Sequence, residues 1–420
     1  MDGIRVIGGK PLHGRVRVSG AKNAALPIMC ATLLSDGESH LRNVPALRDI
    51  DTAAELLGVM GREVEPAPPR VRVGAGTVNP EAPYDVVKKM RASVMVLGPL
   101  LARYGRAKVS LPGGCQIGAR PVDQHLRGLE ALGARIRVEH GYILAEAGRL
   151  EGGEVVFDMP TVTGTENVMM AAALARGRST LVNCAREPEV VEMARVLNKM
   201  GARVSGAGTA VMHVEGRDEL DPFDHAIMPD RIEAGTYLVA AAAAGGEVTV
   251  ENVPVSSLEV LMTKLRAAGV DLEPSGADVL VSRRHPLASV DITTAPHPGF
   301  PTDMQAQWMT LMTKARGTAM IKETVFENRF MHVPELVRMG ADIETQGYNT
   351  AFVKGVDRLT GASVMATDLR ASASLLIAGL MAEGETIVRR VYHLDRGYEH
   401  IEEKLNGLGA DVVRIHGLGP

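Results

Sequence analysis

The residues that could do chemistry fall in one short segment and at a few recurring places. Leu111 to His125 reads LPGGCQIGARPVDQH, with three glycines, a cysteine and an arginine, and with neither a helical nor a strand period. Glycine-rich segments of this kind often serve as lids. Cys115 follows Gly113 and Gly114 and stands five residues before Arg120. A thiol near cationic groups ionises below its ordinary pKa of roughly 8.5. It can then act as acid, base or nucleophile. The alternative is a small residue in a turn, but a buried structural thiol belongs in an apolar run, as Cys30 and Cys184 do.

A second place is Pro301 Thr302 Asp303 Met304, after Pro298 Gly299 Phe300. An Asp at a proline-bounded helix start is most often an N-cap, and the spacing favours that reading. Heading a helix, it could also be a general base. Asn caps as well as Asp, so Asp303→Asn is expected to leave stability nearly unchanged. Glu327 Asn328 Arg329 and Asp395 Arg396 Gly397 close corresponding strands further along, where surface pairing is the plain alternative to lining a site.

A third signal is a recurrence. Polar residues stand just before a series of apolar runs: Lys22 and Asn23, Arg91, Thr163 with Glu166 and Asn167, Arg231 with Glu233, Asp303, and Asp368 with Arg370. If each run is a helix, six N-termini converge on one region, and their free N–H groups favour anions. Lys22, Arg91 and Arg370 strengthen the case for phosphate and carboxylate ligands.

The elements that must position these groups repeat. Gly61, Gly133, Gly201, Gly269, Gly340 and Gly409 each end a helix-like segment before a strand, at spacings of 72, 68, 68, 71 and 69 residues. That is a sixfold repeat of about 70 residues. Each unit also carries an upstream run of small apolar residues: Ala24–Leu34, Val94–Ala102, Val168–Ala175, Ala234–Ala244, Met304–Thr313 and Ala371–Met381. A glycine follows each run, as at a helix C-terminus. Runs apolar on every side predict helices buried behind a sheet. The reading is an α/β chain of two inside-out domains, each of three βαβαββ-like repeats, with a cleft between them. One domain spans 22–229 and carries the Cys115 segment. The other joins 1–21 to 230–420, so two crossings are expected, near 21 and near 229.

Composition narrows the function classes. The chain has 420 residues, 45% hydrophobic, and a formal net charge of -4. Length allows two or three domains, and the charge gives no field for nucleic acid. The longest apolar stretches, such as Leu238–Ala244, fall far short of the ~18–20 residues that span a bilayer. Residues 1–7 read as a strand, and three sparse cysteines suit a reducing compartment, so a cytoplasmic protein is expected. No phosphate-binding G-x-x-x-x-G-K-[ST], H-E-x-x-H or G-x-S-x-G motif occurs, nor any Cys/His spacing for a metal. Polar catalysis on an anionic small molecule remains. The oligomeric state stays open.

At this point the sequence resembles a known family. Ser19–Asn23 (SGAKN), Leu111–Asp123 (LPGGCQIGARPVD), Ala185–Glu189 (AREPE), Phe300–Asp303 (FPTD), Glu327–Phe330 (ENRF) and Asp368–Arg370 (DLR) are similar to the enolpyruvyl transferases, of the kind that acts on UDP-N-acetylglucosamine. The match runs in order over the whole chain. The resemblance implies transfer of the enolpyruvyl group of phosphoenolpyruvate to the sugar 3-hydroxyl, the first committed step of peptidoglycan synthesis, with no metal or organic cofactor. By position it makes Lys22, Arg120 and Arg396 anchors of phosphoenolpyruvate, Cys115 the acid and Asp303 the base. Asn23, Arg91, Arg120, Pro121, Val122, Asp123, Gln124, Thr161, Val162, Thr163, Gly164, Asp303 and Val325 would hold the UDP-sugar. Arg329, Asp368, Leu369 and Arg370 would support the site. Two departures stand out: Met159 Pro160 Thr161 lies where some members carry a lysine, and Gln124 replaces an apolar residue. The rivals are a shikimate-type transferase and a non-catalytic UDP-sugar-binding relative.

Overall fold

The computed structural model describes residues 2–112 and 122–417. The calls on Cys115, Arg120 and Pro121 lie outside the described residues. Among the described residues the chain divides into two compact units, one of residues 20–112 and 122–228, the other of residues 2–19 and 229–417.

Each unit is built from three copies of one motif. In the first, the helices Lys22–Ala31, Leu97–Tyr104 and Val162–Ala172 pack on one another at the centre. In the second, Arg231–Ala244, Gln305–Met312 and Leu369–Met381 do the same. In Val162–Ala172, Arg231–Ala244, Gln305–Met312 and Leu369–Met381 nearly all residues are buried, which is why these sequences show no polar face. The amphipathic helices lie outside this core. Pro188–Lys199 is representative, with Pro188 in its first turn, Glu189 beside the N-terminus and Lys199 at the C-terminus, each matching the helix ends.

Three four-stranded sheets wrap each helical core, and all six share one pattern. One edge strand runs parallel to its neighbour, and two antiparallel pairings complete the sheet. Glu154–Val156, Arg178–Val182, Val211–Glu215 and Arg203–Ser205 form one of them. Strand burial alternates, as Arg178–Val182 shows, so one face meets the helices and the other meets solvent. The arrangement is inside-out: helices within, sheets around them.

The chain termini of each unit complete its sheets. Asp224–Ala226 pairs in parallel with Ser39–Arg42, joining the end of its unit to the beginning. Leu12–Arg17 pairs in parallel with Gly246–Glu251, and Gly3–Ile7 lies between Glu385–Arg389 and Asp411–Ile415. The crossings are tied within each unit. Ala21 donates its N–H to the Met228 carbonyl at 2.7 Å, and Asp230 to that of Ser19 at 2.9 Å.

The six repeat-marking glycines adopt φ of 101°, 92°, 99°, 89°, 94° and 88°. Only glycine enters this region without strain, so the recurrence in sequence is a recurrence of one turn. The helices themselves begin earlier than the apolar runs suggest. Lys22, Asn23, Thr163, Arg231, Glu233 and Arg370 lie inside the first turns, and Glu166 and Asn167 in the second turn of Val162–Ala172, not before the helices. Periodicity missed this because several of these polar side chains are as buried as the apolar ones that follow, Asn167 and Glu166 among them.

Candidate active site

In the unit of residues 20–228, Lys22 opens its helix and is buried, with Nζ 3.2 Å from Asp49 Oδ2. Asn23 beside it is exposed. Arg91 is half-buried and opens a tight 3-10 turn, Arg91–Val96, which leads into Leu97–Tyr104.

The other candidates of this unit lie on two segments that meet. Val122 precedes the helix Asp123–Ala131, and Asp123 and Gln124 form its first turn. Thr161 caps the helix Val162–Ala172, its hydroxyl accepting from Gly164 N at 3.2 Å. Gln124 Oε1 accepts from Met159 N at 3.3 Å. His125 reaches further. Its Nε2 lies 3.1 Å from Thr163 Oγ1, and its Nδ1 lies 2.9 Å from Asn167 Nδ2. Burial and then the Arg91 charge pull its pKa down to about 4, so the ring is neutral. Sequence reasoning left this histidine unassigned, although it closes the segment that carries Cys115. A fully buried Asn167 inside an apolar helix was the matching signal.

In the other unit the charges converge on Asp303. This residue is not an N-cap: Pro301 occupies that position, the first turn is a 3-10 turn over Thr302–Met304, and no side chain caps it. The Asp303 carboxylate instead accepts from Arg329 Nη2 at 2.7 Å and from Arg370 Nε and Nη2 at 3.2 and 3.0 Å. Both guanidinium groups are buried. Burial works against the Arg370 charge, but Asp303, Tyr398 and Asp230 more than offset it, and its pKa lies above the ordinary value. The Arg370 guanidinium also stacks 5.4 Å from the Tyr398 ring.

The supporting residues each have a partner. Asp368 is a true N-cap, its Oδ1 accepting from Arg370 N at 2.8 Å and Ala371 N at 3.0 Å. The cap therefore fixes the turn from which Arg370 projects. Leu369 packs under Gly397, where an added Cβ would come within 2.6 Å of Leu369 Cδ2, so the segment after the turn Val391–Arg396 lies close on this helix. Asp395 is held by Arg414 at 2.7 and 3.2 Å, the plain ion pair, whereas its neighbour Arg396 is half-buried at the end of that turn. His332 is buried between Arg329 and Asp368, and burial lowers its pKa to about 4.

One residue here had no sequence signal. Glu323 is buried and accepts four hydrogen bonds: from Thr294 Oγ1 and Thr302 Oγ1, both at 2.9 Å, from Val325 N at 2.8 Å and from Phe326 N at 3.1 Å. Arg329 Nη1 in turn donates to Thr302 Oγ1 at 2.9 Å. Glu323 thus sets both the Val325 backbone and the threonine that steadies the Asp303 partner.

Taken separately, one unit offers a buried lysine and a helix N-terminus with polar side chains. The other offers a carboxylate fixed between two guanidinium groups. Such groups suit anion binding and proton transfer from a hydroxyl. Residues 6–405 match the family described as EPSP synthase (3-phosphoshikimate 1-carboxyvinyltransferase). The chain belongs to that family, the enolpyruvyl transferases. Within it, the UDP-N-acetylglucosamine 1-carboxyvinyltransferase of Sorangium cellulosum is 72% identical over 420 residues, 99% of each chain. The Myxococcus xanthus protein of the same name is 61% identical over 418 residues, again 99% of each. The crystal structure of the enolpyruvyl transferase NikO from Streptomyces tendae matches with a TM-score of 0.87 at 26% identity over 98% of both chains. An EPSP synthase from Acinetobacter baumannii shares the fold, with a TM-score of 0.78 at 18% identity over 99% of this chain and 100% of that one.

Proposed function

We propose that this chain transfers the enolpyruvyl group of phosphoenolpyruvate to the 3-hydroxyl of UDP-N-acetylglucosamine and releases phosphate. The observation that carries the reading is 72% identity, end to end, to a relative named for that activity. The Asp303 arrangement supports it, since a carboxylate held by two arginines is a fixed proton acceptor.

The sugar hydroxyl adds to C2 of phosphoenolpyruvate, losing its proton to Asp303, while C3 gains a proton from Cys115. The C2–O bond to phosphate then breaks and C3 loses a proton, which restores the double bond. Lys22, Arg120 and Arg396 neutralise the donor carboxylate and the departing phosphate. Asn23, Arg91, the 120–124 and 161–164 segments and Val325 hold the UDP-sugar. No cofactor enters the scheme. In the cell the reaction would open peptidoglycan synthesis in the cytoplasm, linking the enzyme to cell shape and division and making it a target of the epoxide phosphonate fosfomycin.

The test is phosphate release from phosphoenolpyruvate with a panel of acceptors. Release with UDP-N-acetylglucosamine and none with shikimate 3-phosphate is the expected result. The reverse would give the shikimate-type reaction that the family description carries. Binding of the sugar without turnover would make the chain a non-catalytic relative.

A further inference from the structure

We propose that His125 is a positioning residue: through a chain of hydrogen bonds from Asn167 it compels the Thr163 hydroxyl to act as a donor to an anionic oxygen of the bound nucleotide sugar. The inference rests on the proposed function and adds the direction of one hydrogen bond to it.

The direction follows from donors and acceptors alone. Asn167 Oδ1 accepts from Gly98 N at 2.7 Å, and Nδ2 donates to the Val94 carbonyl at 3.2 Å. Turning the amide over would set an NH2 against an N–H and an oxygen against a carbonyl, so its orientation is fixed. Gly98 is part of the device, since an added Cβ would meet Asn167 Oδ1 at 2.4 Å. The amide nitrogen therefore donates to His125 Nδ1 at 2.9 Å. A neutral imidazole that accepts at Nδ1 carries its proton on Nε2. That proton is directed at Thr163 Oγ1, 3.1 Å away. Thr163 must accept it, which leaves the threonine's own proton pointing elsewhere. Among the described residues no acceptor meets that proton, and Thr163 is exposed in the first turn of Val162–Ala172. A hydroxyl donor beside free N–H groups at a helix N-terminus is suited to an anionic oxygen. The low pKa of His125, about 4, agrees with a ring that keeps a single proton at neutral pH.

Three measurements on the full-length chain test this. Titration calorimetry with UDP-N-acetylglucosamine should show binding to the wild type, and binding weaker by roughly 10-fold for Thr163→Val, which keeps the side-chain shape. Thr163→Ser should restore it to within about twofold. The KM for UDP-N-acetylglucosamine should rise in Thr163→Val by about the same factor, because the hydroxyl acts on binding. Nitrogen-15 spectra of histidine-labelled protein should show the His125 signals, assigned by their loss in His125→Gln, with the proton on Nε2. A wild type that fails to bind the sugar overturns the proposed function and this inference together. Sugar binding unchanged in Thr163→Val, or a His125 proton found on Nδ1, overturns the inference alone.

Discussion

Asp303→Asn is the substitution on which sequence and structure disagree most. As a cap, Asn would serve as well as Asp and the protein would melt unchanged. The structure gives Asp303 a different task. Its carboxylate accepts three N–H groups from Arg329 and Arg370, whose side chains are 5% and 4% exposed. An amide of the same shape removes the charge that compensates two buried guanidinium groups and turns an NH2 toward one of them. Removing one partner of a buried ion pair costs about 3–5 kcal/mol. Asp303 is itself 25% exposed, so water recovers part of that, and a loss of about 2–4 kcal/mol is expected. For a unit of about 200 residues this lowers the melting temperature by roughly 5–15 °C. Calorimetry of the free enzyme should show the shift in the transition of the unit that holds Asp303. Arg329→Met added to Asp303→Asn should recover part of it, since the orphaned charge is then gone. Phosphate release by the single variant should fall by about 10²-fold or more. An Asn variant that melts within a degree of wild type refutes the counter-charge argument, and one that turns over at the wild-type rate removes Asp303 from the chemistry.

Alkylation by fosfomycin should fall on Cys115, because Cys30 and Cys184 are buried and burial pushes their thiols up to about 12 and about 11; peptide mapping that finds the label on either of those contradicts the assignment. Glu323→Gln should raise KM for the sugar by roughly 10-fold, because an amide in place of the carboxylate disturbs the Thr302 hydroxyl and the Val325 backbone together; unchanged kinetics would leave Glu323 a purely structural group. Stability should fall as pH drops from about 6.5 toward 4. Over that range unfolded histidines bind protons that His125 and His332, with folded values of about 4, do not. Glu233 acts in the opposite sense. Burial raises it to about 7, so the folded state holds a proton that the unfolded state has lost, and its contribution fades as pH rises from about 4.5 to 7. Denaturant titrations across pH 4–8 should show the acid-side loss shrink in His332→Gln; an unaltered profile would show that His332 does not titrate as described.

What could be read from the chain itself was whatever is local or repeated. Glycines that must adopt positive φ mark the same turn six times, and apolar runs without a polar face mark the central helices. These features depend on a few neighbouring residues, so spacing alone carries them. The enolpyruvyl transferase family was legible for a related reason, because SGAKN, the Cys115 segment and FPTD are contiguous words. The partners of the candidate residues were not legible. Arg329 and Arg370 lie 26 and 67 residues from Asp303, and His125 lies 42 residues from Asn167. Which of many arginines meets a given carboxylate depends on how three repeats pack around one helical core, and no period in the sequence encodes that. Burial then decides the chemistry of the pair. The same Asp in water would be a cap or a surface charge, whereas between two buried guanidinium groups it is a fixed acceptor. Glu323 and His125 were overlooked for the same reason: each is defined by the donors and acceptors that tertiary packing places around it.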